Sequence, residues 1–136
     1  MIASSGSTLV LIIDEDLGFL MWLGELFAEL GCQAMPALNC RQALALAKQL
    51  KLPVTILIVN PELRGYEKMV RQLSAANPGL RVIPIRDSTA DGKGVRSDGS
   101  GTGAQSVLER PLPWEEISRA EWLAKIRKLL FLAAGS

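Results

Sequence analysis

Two stretches of the chain are apolar at consecutive positions: Leu9 to Ile13, and Ile56 to Val59 following Thr55. Runs of leucine and β-branched residues of this length predict strands covered on both faces, as in a parallel sheet. The first run stops at Asp14-Glu15-Asp16. The second, a strand over Thr55 to Val59, ends at Asn60-Pro61-Glu62-Leu63-Arg64-Gly65, where proline and glycine force a loop. Between them the period changes. Leu20, Leu23, Phe27 and Leu30 recur at helical spacing over Leu17 to Leu30, with Asp16 placed to cap the start and Gly31 to supply the stop. Gln33 to Ala37 reads as a weaker second strand, put at an edge by Pro36. Asn39 then caps a helix from Cys40 to Lys51 that carries Ala43, Leu44, Ala47 and Leu50 on one face.

The alternation continues with a helix near Glu67 to Ala76, closed by Asn77-Pro78-Gly79, and a fourth strand over Arg81 to Arg86. Pro84 costs that strand one ladder bond if it is central. Residues 87 to 105 break the rhythm with five glycines and almost no large apolar side chain. A flexible segment holding at most a short fourth helix is expected there. Ser106 to Leu108 reads as a short fifth strand, followed by Arg110-Pro111-Leu112-Pro113. The last helix starts at Ser118, which forms a capping box with Glu121, and its apolar stripe is Trp122, Ile126, Leu129 and Leu130. Buried strands alternating with amphipathic helices predict a doubly wound α/β domain with a parallel sheet and right-handed crossovers. Sites in such folds form at the carboxyl ends of the strands. Those ends here carry Asp14-Glu15-Asp16, Asn60, Arg86 and Arg110.

Composition narrows the chemistry. At 136 residues the chain is read as one domain over 1–136 with its core in 8–134. A net charge of +1, with scattered Lys and Arg, gives no reason to expect nucleic acid or an anionic membrane as partner. The absence of histidine excludes imidazole bases, His-containing metal sites and the role of histidine phosphodonor. Cys32 and Cys40 read as reduced, partly buried thiols. No apolar run reaches the ~18 residues of a membrane span, and the polar start Met-Ile-Ala-Ser-Ser-Gly-Ser does not form a signal peptide, so a cytoplasmic location is expected. Gly99-Ser-Gly-Thr-Gly103 lacks the lysine and the strand–helix setting of a phosphate loop. Trp22 and Trp122 are expected to pack; Trp114, after Leu112-Pro113, is the tryptophan expected nearest the surface and a candidate partner contact.

Three motifs in order carry a resemblance. Val10-Leu-Ile-Ile-Asp-Glu-Asp16, Ile56-Leu-Ile-Val-Asn-Pro-Glu-Leu-Arg-Gly65 and Leu108-Glu-Arg-Pro-Leu112 together resemble the receiver domains of two-component response regulators. The resemblance spans nearly the whole chain and implies a five-stranded flavodoxin-like sheet in the order 2-1-3-4-5. It also implies a magnesium-assisted phosphoryl transfer to an aspartate at the end of the third strand. Carried over by position, Asp14 and Glu15 stand at the metal-binding acidic pair. Asn60 stands at the phosphoacceptor, where a neutral carboxamide cannot form an acyl phosphate. Arg110 replaces a lysine, Val107 an aromatic switch residue, Arg64 a proline, and Arg86 a hydroxyl, with Ser88 or Thr89 serving only if the strand end shifts.

The expected function is therefore an atypical, non-enzymatic receiver acting through protein contacts, with no aspartyl phosphorylation, no catalytic residue, and no cofactor beyond weak magnesium. A histidine kinase, an output domain or another signalling protein is the expected partner, and a homodimer is possible in this family. In the acidic pocket, Arg86 and Arg110 are expected to pair with Asp14 and Glu15 in place of a metal. Two alternatives stand beside this: a receiver that binds magnesium and takes phosphate by a non-standard route, and a flavodoxin-like nucleotide or flavin binder. The acidic loop after the first strand speaks against the second of these.

Overall fold

The computed structural model describes residues 8–50, 52–89 and 107–134. Five strands form one parallel sheet: β1 (Leu9–Ile13), β2 (Gln33–Ala37), β3 (Ile56–Val59), β4 (Arg81–Thr89) and β5 (Leu108–Leu112), in the order β2-β1-β3-β4-β5. Among the described residues the helices are α1 (Leu17–Glu29), α2 (Cys40–Gln49), α3 (Tyr66–Ala76) and α4 (Arg119–Ala134), with a 3-10 turn at Trp114–Glu116. This is the doubly wound α/β fold with the strand order implied by the receiver resemblance.

Both apolar runs lie in the sheet centre with every residue buried. Period-two alternation then splits each run between the two faces. Val10, Ile12, Ile56, Ile58, Ile83, Ile85 and Leu108 pack under α1 and α4 with Phe19, Phe27 and Trp122. Leu9, Leu11, Ile13, Leu57 and Val59 pack under α2 and α3 with Ala43, Met69 and Leu73. Asn77 ties the second layer to the sheet from a buried position: its Oδ1 accepts from the Val54 N–H at 2.9 Å, and its Nδ2 donates to the Leu73 carbonyl at 3.0 Å. On the first layer, Arg119 of α4 pairs with Glu29 of α1 and lies 5.5 Å from the Trp22 ring.

The helix ends follow local chemistry. Asp16 caps α1, accepting from the Phe19 N–H at 3.1 Å, and Asn39 caps α2, accepting from Gln42 at 2.8 Å. Ser118 accepts from the Glu121 N–H at 3.1 Å at the start of α4. Gly31 after α1 and Gly65 before α3 take φ of +89° and +82°, a region side chains avoid.

Most boundaries fall within two residues of the sequence expectation, and α2 ends at Gln49 and not Lys51; the larger differences are at the ends of β4 and β5. β4 continues three residues past Arg86 to Thr89, and β5 occupies Leu108–Leu112 instead of ending at Leu108. The cause is mutual pairing: Ile85 to Thr89 align with Leu108 to Leu112, residue by residue. β5 is an edge strand, and an edge tolerates Pro111 because its outer side needs no ladder donor. Asp87, Ser88 and Thr89 therefore belong to the sheet and not to the glycine-rich segment. The expectations for residues 90–105, Gly99–Gly103 included, lie outside the described residues.

Candidate functional site

On the α1/α4 face, β1, β3, β4 and β5 each replace the next inward apolar residue with a polar one toward the carboxyl end. Val10 and Ile12 lead to Asp14, Ile56 and Ile58 to Asn60, Ile83 and Ile85 to Asp87, and Leu108 to Arg110. Because strand side chains alternate, all four polar groups converge at one rim above the core.

Asp14 is the centre of this cluster and is only 1% exposed. Its Oδ1 accepts from Asn60 Nδ2 at 2.9 Å. Its Oδ2 accepts from Arg110 Nη1 at 2.8 Å and from the Asp16 N–H at 3.0 Å. The other end of the Asn60 carboxamide is also engaged, since Oδ1 accepts from the Glu62 N–H at 2.9 Å. That bond fixes the first turn of the loop between β3 and α3.

Arg110 is 6% exposed and is held from three sides. Besides Asp14, its Nε donates to Asp87 Oδ1 at 2.5 Å, and its guanidinium carbon lies 4.6 Å from the centre of the Phe19 ring. Burial opposes its charge, but the hydrogen bonds and attraction of Asp87 and Asp14 outweigh this and push its pKa above the ordinary arginine range. Trp114 completes the wall. Its indole N–H donates to Asp16 Oδ2 at 3.2 Å, and its ring meets Phe19 edge-on at 5.3 Å. Trp114 is half-buried, whereas Trp122 is fully buried, so the Trp114 indole N–H and one ring edge serve the fold while part of the ring stays at the surface.

The other expected site residues lie elsewhere. Arg86 does not enter the pocket: it has the opposite strand parity to Asp87 and pairs with Glu109 at 2.7 Å, with side chains 47% and 44% exposed. Glu15 is exposed beside the rim, and Val107 is half-buried just before β5. The expectation that Arg86 and Arg110 share Asp14 and Glu15 is corrected to a single buried pair, Arg110 with Asp14, supported by Asp87. Asp87 was missed because it was assigned to a loop. The signal for it was present, two residues beyond Ile85 on the same strand face.

The metal expected of the fold family can be tested against these donors. Magnesium wants several oxygen ligands at ~2.0–2.1 Å in octahedral geometry. Both Asp14 oxygens already accept from protein donors, one of them cationic, and Asn60 supplies a donor group where a second carboxylate would be needed. Among the described residues, no group of three or more His, Cys, Asp or Glu is placed to hold a metal. The pocket does not fit the ion. Cys32 and Cys40 are free, with burial pushing both thiols above their ordinary pKa. No described helix is long and apolar enough to cross a membrane.

No protein-family sequence profile and no curated protein sequence matches the chain. Solved structures do. A CheY-like response regulator receiver domain protein of Methanospirillum hungatei is 15% identical, with TM-score 0.63 over 96% of this chain and 98% of that one. The chemotaxis response regulator CheY4 of Vibrio cholerae is 17% identical, with TM-score 0.61 over 93% and 99%. The response regulator TrrA of Thermotoga maritima, solved with the histidine kinase ThkA, gives 22% identity and TM-score 0.57 over 90% and 98%. At these identities the similarity establishes a shared fold.

Proposed function

We propose that this chain is an atypical response-regulator receiver domain that works in signal transduction through protein contacts and does not accept phosphate on an aspartate. One observation carries the reading. The carboxyl end of β3, where a receiver presents its nucleophile, presents Asn60, and that carboxamide is engaged at both ends. A carboxamide nitrogen that donates to Asp14 has no lone pair to attack phosphorus, and its neutral oxygen is a poor nucleophile.

The surroundings support the same reading. Arg86 is spent on Glu109 at the surface, and Val107 offers no aromatic ring to reorient. The domain would then communicate by surface complementarity alone. Leu17 and Met21, one helical turn apart on α1 and each more than half exposed, form an apolar strip beside the rim that fits a protein partner. A histidine kinase, an output domain, another signalling protein or a second copy of the chain are the partner classes in keeping with the fold; TrrA itself was solved with a kinase. The polar donors are used within the fold and are not turned outward toward a nucleotide or flavin.

The test is incubation of the purified protein with acetyl phosphate or phosphoramidate and magnesium, followed by intact-mass measurement. No phosphoryl adduct is expected. A stoichiometric adduct would favour the reading in which phosphate is taken by a non-standard route.

A further inference from the structure

We infer that Arg110 is a tethered substitute for a divalent cation, so that the rim pocket carries a permanent internal positive charge and does not respond to metal ions. This rests on the receiver reading of the site but concerns a different property from the missing nucleophile. Asp14 is almost completely buried, and a carboxylate removed from water requires a compensating charge and saturated hydrogen bonding. Arg110 supplies the charge at 2.8 Å, and Asn60 and the Asp16 backbone supply the remaining donors. The guanidinium is anchored by Asp87 on the neighbouring strand and by the face of Phe19 beneath it. A free ion in that position exchanges with solvent and couples folding to its own concentration. A guanidinium on β5 neither dissociates nor loses its proton, so the coupling disappears.

Asn60 fits this arrangement. With one cation fixed in place, a second carboxylate would leave the pocket with excess negative charge beside Asp87, whereas a carboxamide donates to Asp14 and adds none. The substitutions at positions 60 and 110 are thus two parts of one electrostatic solution.

The experiment measures metal linkage. Wild-type protein, Arg110→Ala and the double variant Asn60→Asp/Arg110→Ala are melted in EDTA, in magnesium chloride and in manganese chloride at matched ionic strength, and free manganese is followed by electron paramagnetic resonance. The wild type should show the same midpoint in all three solutions and leave the manganese signal undiminished. Arg110→Ala should melt lower in EDTA, and the double variant, which restores the second carboxylate, should be raised saturably by manganese, with about a ten-fold gain in folding equilibrium constant at ten times the dissociation constant. Should the variants not fold in EDTA, recovery of folding by the double variant on adding manganese is expected. Saturable manganese uptake by the wild type overturns the inference, as does an Arg110→Ala protein as stable as wild type or a double variant that no metal rescues. Metal uptake without a phosphoryl adduct would sink this inference alone. An adduct on a wild type that takes up no manganese would sink only the functional proposal.

Discussion

Asn60 Nδ2 donates to Asp14 Oδ1 at 2.9 Å, joining the ends of β3 and β1 across the middle of the sheet. At that separation the identity of residue 60 decides whether the contact attracts or repels.

Asn60→Asp should therefore destabilise the protein at neutral pH. Two carboxylates at this distance, one of them buried, disfavour joint ionisation, so the introduced carboxyl would keep its proton to higher pH when folded than when unfolded. A group with its folded pKa raised costs stability as pH rises above its unfolded value, which for aspartate is about 3.9. Denaturant unfolding should show little difference from wild type near that pH and a loss of roughly 1–3 kcal/mol at neutral pH. A variant as stable as wild type at neutral pH would show that the contact is not tight.

The two rim arginines should differ sharply. Arg86 and Glu109 are each nearly half exposed, and such pairs contribute little, so Arg86→Ala should change stability by less than about 1 kcal/mol. Arg110→Ala leaves the Asp14 carboxylate buried without its cation and should cost roughly 3–5 kcal/mol. Parallel urea titrations measure both. Equal effects would contradict the placement of the two side chains.

Asn77 provides a check on the opposite layer. It bridges Val54 and Leu73 with a donor and an acceptor in a buried site. Asn77→Ala strands the Val54 N–H and should cost about 1–3 kcal/mol in urea unfolding, with no effect on the rim.

The thiols set an alkaline limit. Burial raises both cysteines above the ordinary value of 9.0, so the folded protein holds these protons where the unfolded chain releases them. Stability is fully present below pH 9 and should fall as pH rises through the folded values. Unfolding at stepped pH under reducing conditions should show this decline, and Cys40→Ala should reduce it.

How much of this was legible in the sequence follows from burial. Leu9–Ile13 and Ile56–Val59 declare themselves because strands covered on both faces have no polar positions. The β4 and β5 ends do not, because each is stabilised by pairing with the other, and Asp87, Arg110 and Pro111 resemble a loop when taken alone. Asp14, Asn60 and Arg110 were found as strand-end residues. Asp87 was hidden by the misplaced end of β4, and Arg86 was drawn into the pocket by ignoring parity. Counting two residues onward from Ile85 reaches Asp87, and the same step from Leu108 reaches Arg110. The direction of Arg110, toward Asp14 and over Phe19, depends on how α1 packs and could not be taken from spacing.

The central claim is that this rim is closed to both metal and phosphoryl group. Amide chemical shifts of the wild-type protein, recorded during titration with magnesium and then with beryllofluoride, address it directly. The expected result is no saturable change at Asp14, Asn60, Asp87 or Arg110. Saturable shifts at those residues, with magnesium alone or with the phosphoryl mimic, would contradict it.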